Sequence, residues 1–130
     1  MKASQFVIGD FGLVMIDEGG DISKMESNEF TGTDAYMAPE QLKGLTYTCA
    51  VDVWQLGCVM IEFIRGIYPQ SWQSTLTDRR GYSLDMKKAS LEEIDDAVQR
   101  SLRVIVPDVV AQDFLQKVCH HRSGRRAARG

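Results

Sequence analysis

The sequence predicts a mainly α-helical chain with at most a short β-strand or hairpin near its amino terminus. Three stretches carry the apolar spacing of helices, and they begin near Thr48, Ser90 and Pro107. Only the apolar run at residues 5–8, which Gly9 closes, has the pattern of a strand entering a turn. Of the 130 residues, 44% are hydrophobic and 25% are charged, which is ordinary for a globular chain.

The first third of the chain reads as a loop followed by a short helical turn. Residues 17–33 are rich in Gly, Ser, Asp and Glu and show no steady period, which predicts a loop. Pro39 is suited to the first position of a helix, so residues 40–43 are predicted to form one turn that Gly44 ends.

The segment from Thr48 to Gly66 gives the strongest helix prediction. Thr48 can cap its start, and Gly66 followed by Pro69 ends it. Apolar side chains fall on nearly every face, and such a helix is normally buried inside a larger body. Without that cover several side chains face water, at about 1.5–3 kcal/mol each. The candidates are Val53, Leu56, Met60 and Phe63. We therefore expect the chain alone to be marginally stable, prone to aggregation or dependent on a partner.

The second half predicts two further helices. Residues 70–88 show no clear period and are expected to be irregular. Ser90 and Glu93 match a capping box, and the apolar spacing after them runs to about Arg103. Pro107 is predicted to begin the last helix. Residues 120–130 are basic and rich in small residues, which predicts a disordered tail.

Charge and cysteine content narrow the classes of function. The net charge of −3 argues against a nucleic-acid or anionic-membrane partner for the body of the chain. Three cysteines without a C-x-x-C pair argue against zinc and redox motifs, and they favour a reducing compartment, the cytoplasm or the nucleus. Residues 49–64 are too short and too polar to span a bilayer, and no signal peptide is visible.

Three motifs follow one another along the chain. They are Asp10-Phe11-Gly12, the stretch at residues 32–40 that ends in Ala38-Pro39-Glu40, and the stretch Asp-Val-Trp-Gln-Leu-Gly at residues 52–57. In order and spacing they resemble the eukaryotic-type serine/threonine protein kinase family. The first motif alone is weak, because in isolation a strand-ending turn explains it better, but the three together are highly specific. The resemblance implies a fragment of the large, mainly helical lobe at residues 1–119, with the tail at 120–130 outside it.

The resemblance implies a role for each residue of the first motif. Asp10 would hold the Mg²⁺ that bridges the phosphates of ATP, since this cation prefers carboxylate oxygens and water. Phe11 would pack inward and decide whether Asp10 faces the metal. Gly12 would permit the backbone to change between those states.

The second and third motifs imply a substrate-binding loop and its supports. Thr33, after Gly32, resembles the serine/threonine branch, where it would lie beside the catalytic Asp and help admit a hydroxyl substrate. Glu40 would form a buried ion pair with an Arg near the end of the domain. Asp52 would accept hydrogen bonds from the backbone of the catalytic loop, and Trp54 would belong to the core.

The loop between the motifs offers hydroxyls for regulation. In the family such loops become ordered when an added phosphate meets an Arg. The available hydroxyls are those of Ser23, Ser27 and Thr31, and Glu29 aligns near the position that relatives phosphorylate. The alternative, that these are only solvated loop residues, stays open.

Most of the family's phosphate-transfer residues are absent from these 130 residues. There is no glycine-rich loop, no nucleotide-binding lysine with its helical glutamate, and no H-R-D-x-x-x-x-N stretch, since the histidines are His120 and His121. We expect a chain that is inactive alone, whose parent is an ATP-dependent protein kinase. The alternative is a catalytically dead kinase-derived module that binds protein substrates or regulatory proteins.

The carboxyl end also departs from the family pattern. The Asp-Pro that usually precedes the conserved Arg is missing, so Arg125 and Arg126 are the candidates to reach Glu40. A nucleic-acid or localisation patch in this basic tail is a further alternative. A second chain that supplies the missing lobe is another, and the sequence leaves the oligomeric state open.

Overall fold

The computed structural model describes residues 4–12, 14–16, 26–27, 34–66 and 71–119. Four α-helices lie within them: α1 at Pro39–Leu42, α2 at Ala50–Arg65, α3 at Leu91–Ile105 and α4 at Val109–Val118. Two 3-10 turns lie at Asp34–Tyr36 and Trp72–Thr75. The described residues hold no β-strand, only isolated antiparallel bridges between Ser27 and Tyr47 and between Thr77 and Ser83. The predicted mainly α class is therefore confirmed.

Helix α2 is the centre of the packing. One face is buried and includes Val51, Trp54, Cys58 and Ile61. This face contacts α3, α4 and both 3-10 turns, while α3 and α4 also contact each other. The core is thus built from elements before and after α2 that pack around one of its sides.

The crossing of α2 and α4 is unusually close at Gly57. A Cβ atom at this position would lie 2.6 Å from the Sγ of Cys119 and 2.9 Å from the Cγ1 of Val118. Real side chains do not approach that closely, so glycine is what allows the two helices to meet here.

The ends of α2 follow from local chemistry. The Oγ1 of Thr48 accepts a hydrogen bond from the amide of Ala50 at 3.3 Å, but the residue at the cap position is Cys49, whose side chain makes no capping bond, so the cap predicted at Thr48 is wrong by one residue. Gly66 takes a left-handed φ of 65° and its amide donates to the Glu62 carbonyl at 2.9 Å. The predicted stop at Gly66 is therefore confirmed.

Helix α3 begins with the predicted capping box. The Glu93 amide donates to the Ser90 Oγ at 3.1 Å, and the Ser90 amide donates to the Glu93 carboxylate at 2.8 Å. The start of α4 differs from the prediction. Pro107 precedes the helix, and Asp108 caps it by accepting from the Ala111 amide at 2.7 Å. A carboxylate facing free amides is a stronger start signal than the proline before it.

The segment between α2 and α3 is irregular, as predicted, yet it contributes strongly to the core. Trp72, Leu76 and Met86 are buried, and Trp72 has no exposed surface. Its indole N–H donates to the Ser101 Oγ of α3 at 2.9 Å, and its ring lies 6.2 Å from that of Trp54. A segment whose described residues hold only one 3-10 turn and one isolated bridge thus joins α2 to α3.

The short strand predicted at residues 5–8 is not formed. Phe6, Val7 and Ile8 are almost wholly exposed, and these residues have no regular secondary structure. A strand needs a neighbour to receive its hydrogen bonds, and the described residues place none beside this stretch. The strand prediction, which rested on apolar, β-prone composition alone, is wrong for these residues.

The outer face of α2 lacks cover, as predicted. Val53, Leu56 and Phe63 are exposed, with 56% of Leu56 and 68% of Phe63 open to solvent, whereas Met60 is half-buried against the core. None of the helices in the described part of the chain combines the length and the apolar character that a bilayer span needs. The predicted tail at 120–130 lies outside the described residues.

Candidate functional site

The stretch around Asp10 has an unusual backbone and an exposed position. Asp10 has a φ of 62°, and no other described non-glycine residue has a positive φ. Aspartate tolerates this left-handed conformation better than most residues, and such outliers cluster at functional sites. Gly12 is not needed for space, because a Cβ there would meet only the Asp10 carboxylate at an ordinary 3.7 Å.

Phe11 does not pack inward as the resemblance implied. Its side chain is 65% exposed. A phenylalanine is buried only where an apolar pocket lies within reach, and the described residues offer Phe11 none. The aromatic residue of this stretch that does find a partner is Phe6. Its ring meets that of Phe63 edge to face, with centroids 5.7 Å apart and planes at 88°.

The residues described do not assemble a magnesium site. Asp10 is exposed, and no group of three His, Cys, Asp or Glu side chains in the described ranges is placed to hold a metal ion. Protein-bound Mg²⁺ usually takes one or two carboxylates together with the phosphates of a bound nucleotide. One exposed carboxylate without phosphate-binding groups beside it does not meet that need, so we derive no catalytic step through the ion.

The Ala-Pro-Glu motif, unlike Asp-Phe-Gly, is packed into the core. Met37, Ala38, Pro39 and Glu40 are all buried, and Glu40 is only 5% exposed. The Gln41 side chain accepts a hydrogen bond from the Ala38 amide at 3.1 Å, which ties the start of α1 to itself. The predicted ion pair of Glu40 remains a prediction, because Arg125 and Arg126 lie outside the described residues.

Hydrogen bonds to α2 and to the segment after it hold the 3-10 turn at Asp34–Tyr36 in place. The Tyr36 hydroxyl donates to the Glu62 carboxylate of α2 at 2.9 Å, and the other Glu62 oxygen accepts from the Trp72 amide at 3.3 Å. The Ser71 Oγ donates to the Ala35 carbonyl at 2.8 Å. Thr33, which directly precedes this turn, lies outside the described residues.

Gln73 connects that same turn to α2. Its Nε2 donates to the Asp34 carbonyl at 3.4 Å, and its Oε1 accepts from the Trp54 indole N–H at 3.1 Å. Sequence reasoning placed Trp54 in the core, where it is 3% exposed, but it overlooked Gln73, Ser71 and Glu62. Of these only Glu62 gave a signal, as an acidic residue within an apolar helix.

Asp52 and the regulatory hydroxyls have different surroundings. Asp52 is exposed on the first turn of α2. The amide and carbonyl of Ser27 pair with those of Tyr47 at 2.9 and 2.8 Å, which fixes this part of the loop against the chain entering α2. Ser23 and Thr31 lie outside the described residues.

The buried cysteines are unsuited to chemistry. Burial, together with the neighbouring Cys119 and Glu62, raises the pKa of the Cys58 thiol far above its usual range, and burial raises the pKa of Cys119 to about 12. Both groups stay neutral thiols at ordinary pH, and the thiolate is the form that reacts or binds metal. They act as small apolar side chains at the crossing of α2 and α4.

Comparison with known proteins decides the family. The family model described as the protein kinase domain matches residues 1–129. The chain belongs to the protein kinase family. Kinases of this family act on protein substrates and use ATP and Mg²⁺, and the predicted resemblance is confirmed.

Curated kinases from several branches are similar to parts of the chain. A dual specificity mitogen-activated protein kinase kinase of Drosophila melanogaster is 35% identical over 58% of the chain. Mitogen-activated protein kinase kinase kinase 20 of Arabidopsis thaliana is 44% identical over 45% of it. Beta-adrenergic receptor kinase 1 of Didelphis virginiana is 29% identical over 87% of it.

The aligned parts make up 18%, 17% and 17% of these three kinases, so the chain spans less than a fifth of their length. No solved structure matches the chain. Kinase membership therefore applies to the segment in hand, which carries the Asp-Phe-Gly and Ala-Pro-Glu motifs and the helices that follow them.

Proposed function

We propose that this chain forms the part of a protein kinase large lobe that runs from the Asp-Phe-Gly motif through α4, in a protein that transfers the γ-phosphoryl group of ATP to Ser or Thr hydroxyls. The observation that carries the proposal is the presence of all three kinase motifs in one chain that matches the kinase domain along its length. The burial of the Ala-Pro-Glu turn, whose Ala38 belongs to the same hydrophobic core as α2, supports it.

The chain alone is proposed to be inactive. Phosphoryl transfer depends on positioned phosphate ligands, a catalytic carboxylate and metal ligands that act as a set. Of these the 130 residues supply Asp10, which stands exposed in the structure. Removing single members of a cooperating set already lowers rates by orders of magnitude. Binding of ATP and Mg²⁺ by this chain alone is accordingly expected to be negligible.

A fusion tests the proposed function. The upstream part of a curated relative, up to its own Asp-Phe-Gly motif, is joined to this chain at Asp10, and transfer of labelled phosphate from ATP to a protein substrate is measured. The fusion is expected to transfer phosphate, and the Asp10→Asn variant is expected to abolish the transfer. The unfused chain serves as the matched control and should show none.

Two outcomes would contradict the proposal. A folded fusion with no activity would show that this segment cannot serve as a kinase lobe. Activity of the unfused chain that Asp10→Asn abolishes would show that the missing parts are not needed. Phosphoamino-acid analysis of the product tests the serine/threonine preference that Thr33 implies. Label on tyrosine would refute that preference.

A second candidate is a kinase-derived module that binds substrates or regulators without catalysis. The exposed apolar face of α2 at Leu56 and Phe63 favours it, because large uncovered apolar surfaces commonly mark interaction sites. A folded but inactive fusion, together with a stable heteromeric complex of the natural chain, would select this candidate over the first.

Several smaller assignments belong to the same proposal. Residues 1–119 form the partial kinase domain and residues 120–130 its basic tail. The protein works in the cytoplasm or nucleus, in keeping with its free cysteines. Ser23, Ser27 and Thr31 are the candidate phosphorylation sites, and phosphopeptide mapping of the protein from cells would reveal whether any of them carries phosphate.

A further inference from the structure

The loop that precedes the Ala-Pro-Glu motif ends in the 3-10 turn at Asp34–Tyr36, and this turn cannot hold itself in place. It contains three residues and makes one internal backbone bond of note, from the Met37 amide to the Asp34 carbonyl at 3.2 Å. Single 3-10 turns are too short to be stable alone, because closing the first turn costs more than one hydrogen bond returns. Its position must come from outside.

Two buried side chains from the segment after α2 form hydrogen bonds that help to fix the turn. The Ser71 Oγ donates to the Ala35 carbonyl at 2.8 Å, and the Gln73 Nε2 donates to the Asp34 carbonyl at 3.4 Å. Ser71 is 9% exposed and Gln73 is 5% exposed, so water cannot easily replace these donors. Breaking either bond would leave buried polar groups unpaired, which costs more than the bond is worth at a surface.

The orientation of Gln73 is itself fixed by α2. Its Oε1 accepts from the indole N–H of Trp54 at 3.1 Å and from the thiol of Cys58 at 3.9 Å. An amide whose oxygen faces two donors must turn its NH₂ group the other way, toward the Asp34 carbonyl. The central helix therefore sets the place of the turn through one side chain.

We propose that Ser71 and Gln73 are positioning residues that hold the Asp34–Tyr36 turn, at the end of the loop, in place without any phosphate on that loop. The inference rests on the proposed function for the meaning of the loop, since Thr33 directly precedes the turn. Kinase loops of this kind are often ordered by a phosphate that meets an arginine. Here the donors from the segment after α2 are a hydroxyl and an amide, which carry no charge and need no phosphate. They act beside the bond from the Tyr36 hydroxyl to the Glu62 carboxylate and an exposed ion pair between Lys87 and Asp34 at 3.6 Å.

The indole N–H groups of the two tryptophans provide a spectroscopic probe and a control. Its two tryptophans both donate through the indole N–H, Trp54 to Gln73 and Trp72 to Ser101. In a ¹⁵N-resolved spectrum of the whole chain, Gln73→Met should move the Trp54 indole resonance and leave that of Trp72 nearly in place. The Met37 amide should exchange with solvent roughly tenfold faster or more, because its partner turn has lost a buried support.

A milder substitution at Ser71 keeps the test valid if the Gln73→Met variant fails to fold. Ser71→Ala should also speed exchange at Met37, while Ser71→Thr, which keeps the hydroxyl, should restore slow exchange. Ser74→Ala is the matched control, because the Ser74 Oγ donates to the Ser71 carbonyl within the same segment and does not contact the turn. It should leave Met37 unchanged.

Three results would overturn the proposal. Unchanged Met37 exchange in Ser71→Ala and Gln73→Met would show that these bonds hold nothing. Equal acceleration at Met37 and in the core of α3, at Ile94 and Leu102, would show a general loss of stability. A strong slowing at Met37 after phosphorylation of the loop would show that the turn was not already held. None of the three depends on activity of the kinase fusion, so an inactive fusion would leave this inference standing.

Discussion

The stretch around Asp10 and the stretch around Glu40 carry the two ends of one kinase segment, but their surroundings differ sharply. Glu40 lies in a buried turn whose neighbour Gln41 accepts a hydrogen bond from Gln55 of α2 at 3.4 Å, whereas Asp10, Phe11 and the apolar residues before them are exposed. The difference follows from which packing partners the 130 residues supply. The partners of Glu40's turn come later in this chain. The contact of Phe6 with Phe63 joins the Asp10 stretch to α2 only at the uncovered outer face.

This contrast shows that two motifs of one family can differ in burial and in packing within the same chain. The side of the segment around Glu40 is buried, while the side around Asp10 is exposed and keeps an unusual backbone. Stability and catalytic chemistry are thus divided between the two regions. Substitutions in one should change unfolding, and those in the other should change only the activity of a completed kinase.

The largest expected effect separates the two regions directly. Trp72→Ala removes a fully buried indole and should lower the free energy of unfolding by about 3–5 kcal/mol. Phe11→Ala removes an exposed ring and should change it by less than about 0.5 kcal/mol. Thermal or denaturant unfolding followed by circular dichroism measures both. A comparable loss in the two variants would remove the distinction between the regions.

A pair of glycines sharpens the same contrast. Gly57→Ala places a methyl group within 3 Å of Cys119 and Val118, so it should destabilise the chain by about 1–3 kcal/mol. Gly9→Ala meets no atom within 4 Å and should be nearly neutral. Adding Cys119→Ala to Gly57→Ala should recover part of the loss, and the absence of any recovery would argue against a steric cause.

The uncovered face of α2 should govern association rather than stability. Replacing Leu56 and Phe63 together by Lys should change the free energy of unfolding by less than about 1 kcal/mol, because both side chains are largely exposed. The same change should reduce self-association in sedimentation velocity. Val104→Lys, at an exposed position on α3, is the matched control. Strong unfolding of the double variant would mean that this face is covered in solution.

The smallest effect concerns pH. Amide donors of Tyr82 and Arg80, at 3.0 and 2.8 Å, lower the pKa of Asp78 below its ordinary value of 3.8. Its contribution to stability is therefore present above pH 3.8 and is lost as the pH falls through the lowered value. Asp78→Asn should flatten the acid end of a plot of unfolding free energy against pH. An unchanged acid slope would contradict this.

The sequence predicted the elements that local chemistry decides. The Ser90 and Glu93 capping box located α3, and Gly66 located the end of α2, because a cap or a left-handed glycine acts within one turn. The start of α4 was placed at Pro107 rather than after Asp108, since two adjacent start signals compete there.

Features that depend on distant contacts were missed. The sequence alone gave no sign that Gly57 lies at the crossing of α2 and α4. Residues 5–8 have the composition of a strand, but the described residues place no partner beside them. For the candidate site, the motifs identified Asp10 and Glu40, but Ser71 and Gln73 gave no sign of their contacts with a turn more than 30 residues earlier.

Amide hydrogen exchange across the whole chain tests the central contrast most directly. We expect the core of α2 and α3, at Ile61 and Leu102, to be protected by about a hundredfold or more relative to an unfolded chain. Residues 5–12 should exchange at nearly unfolded rates in the same sample. Strong protection around Asp10 equal to that of the core, or no protection in either region, would contradict the account.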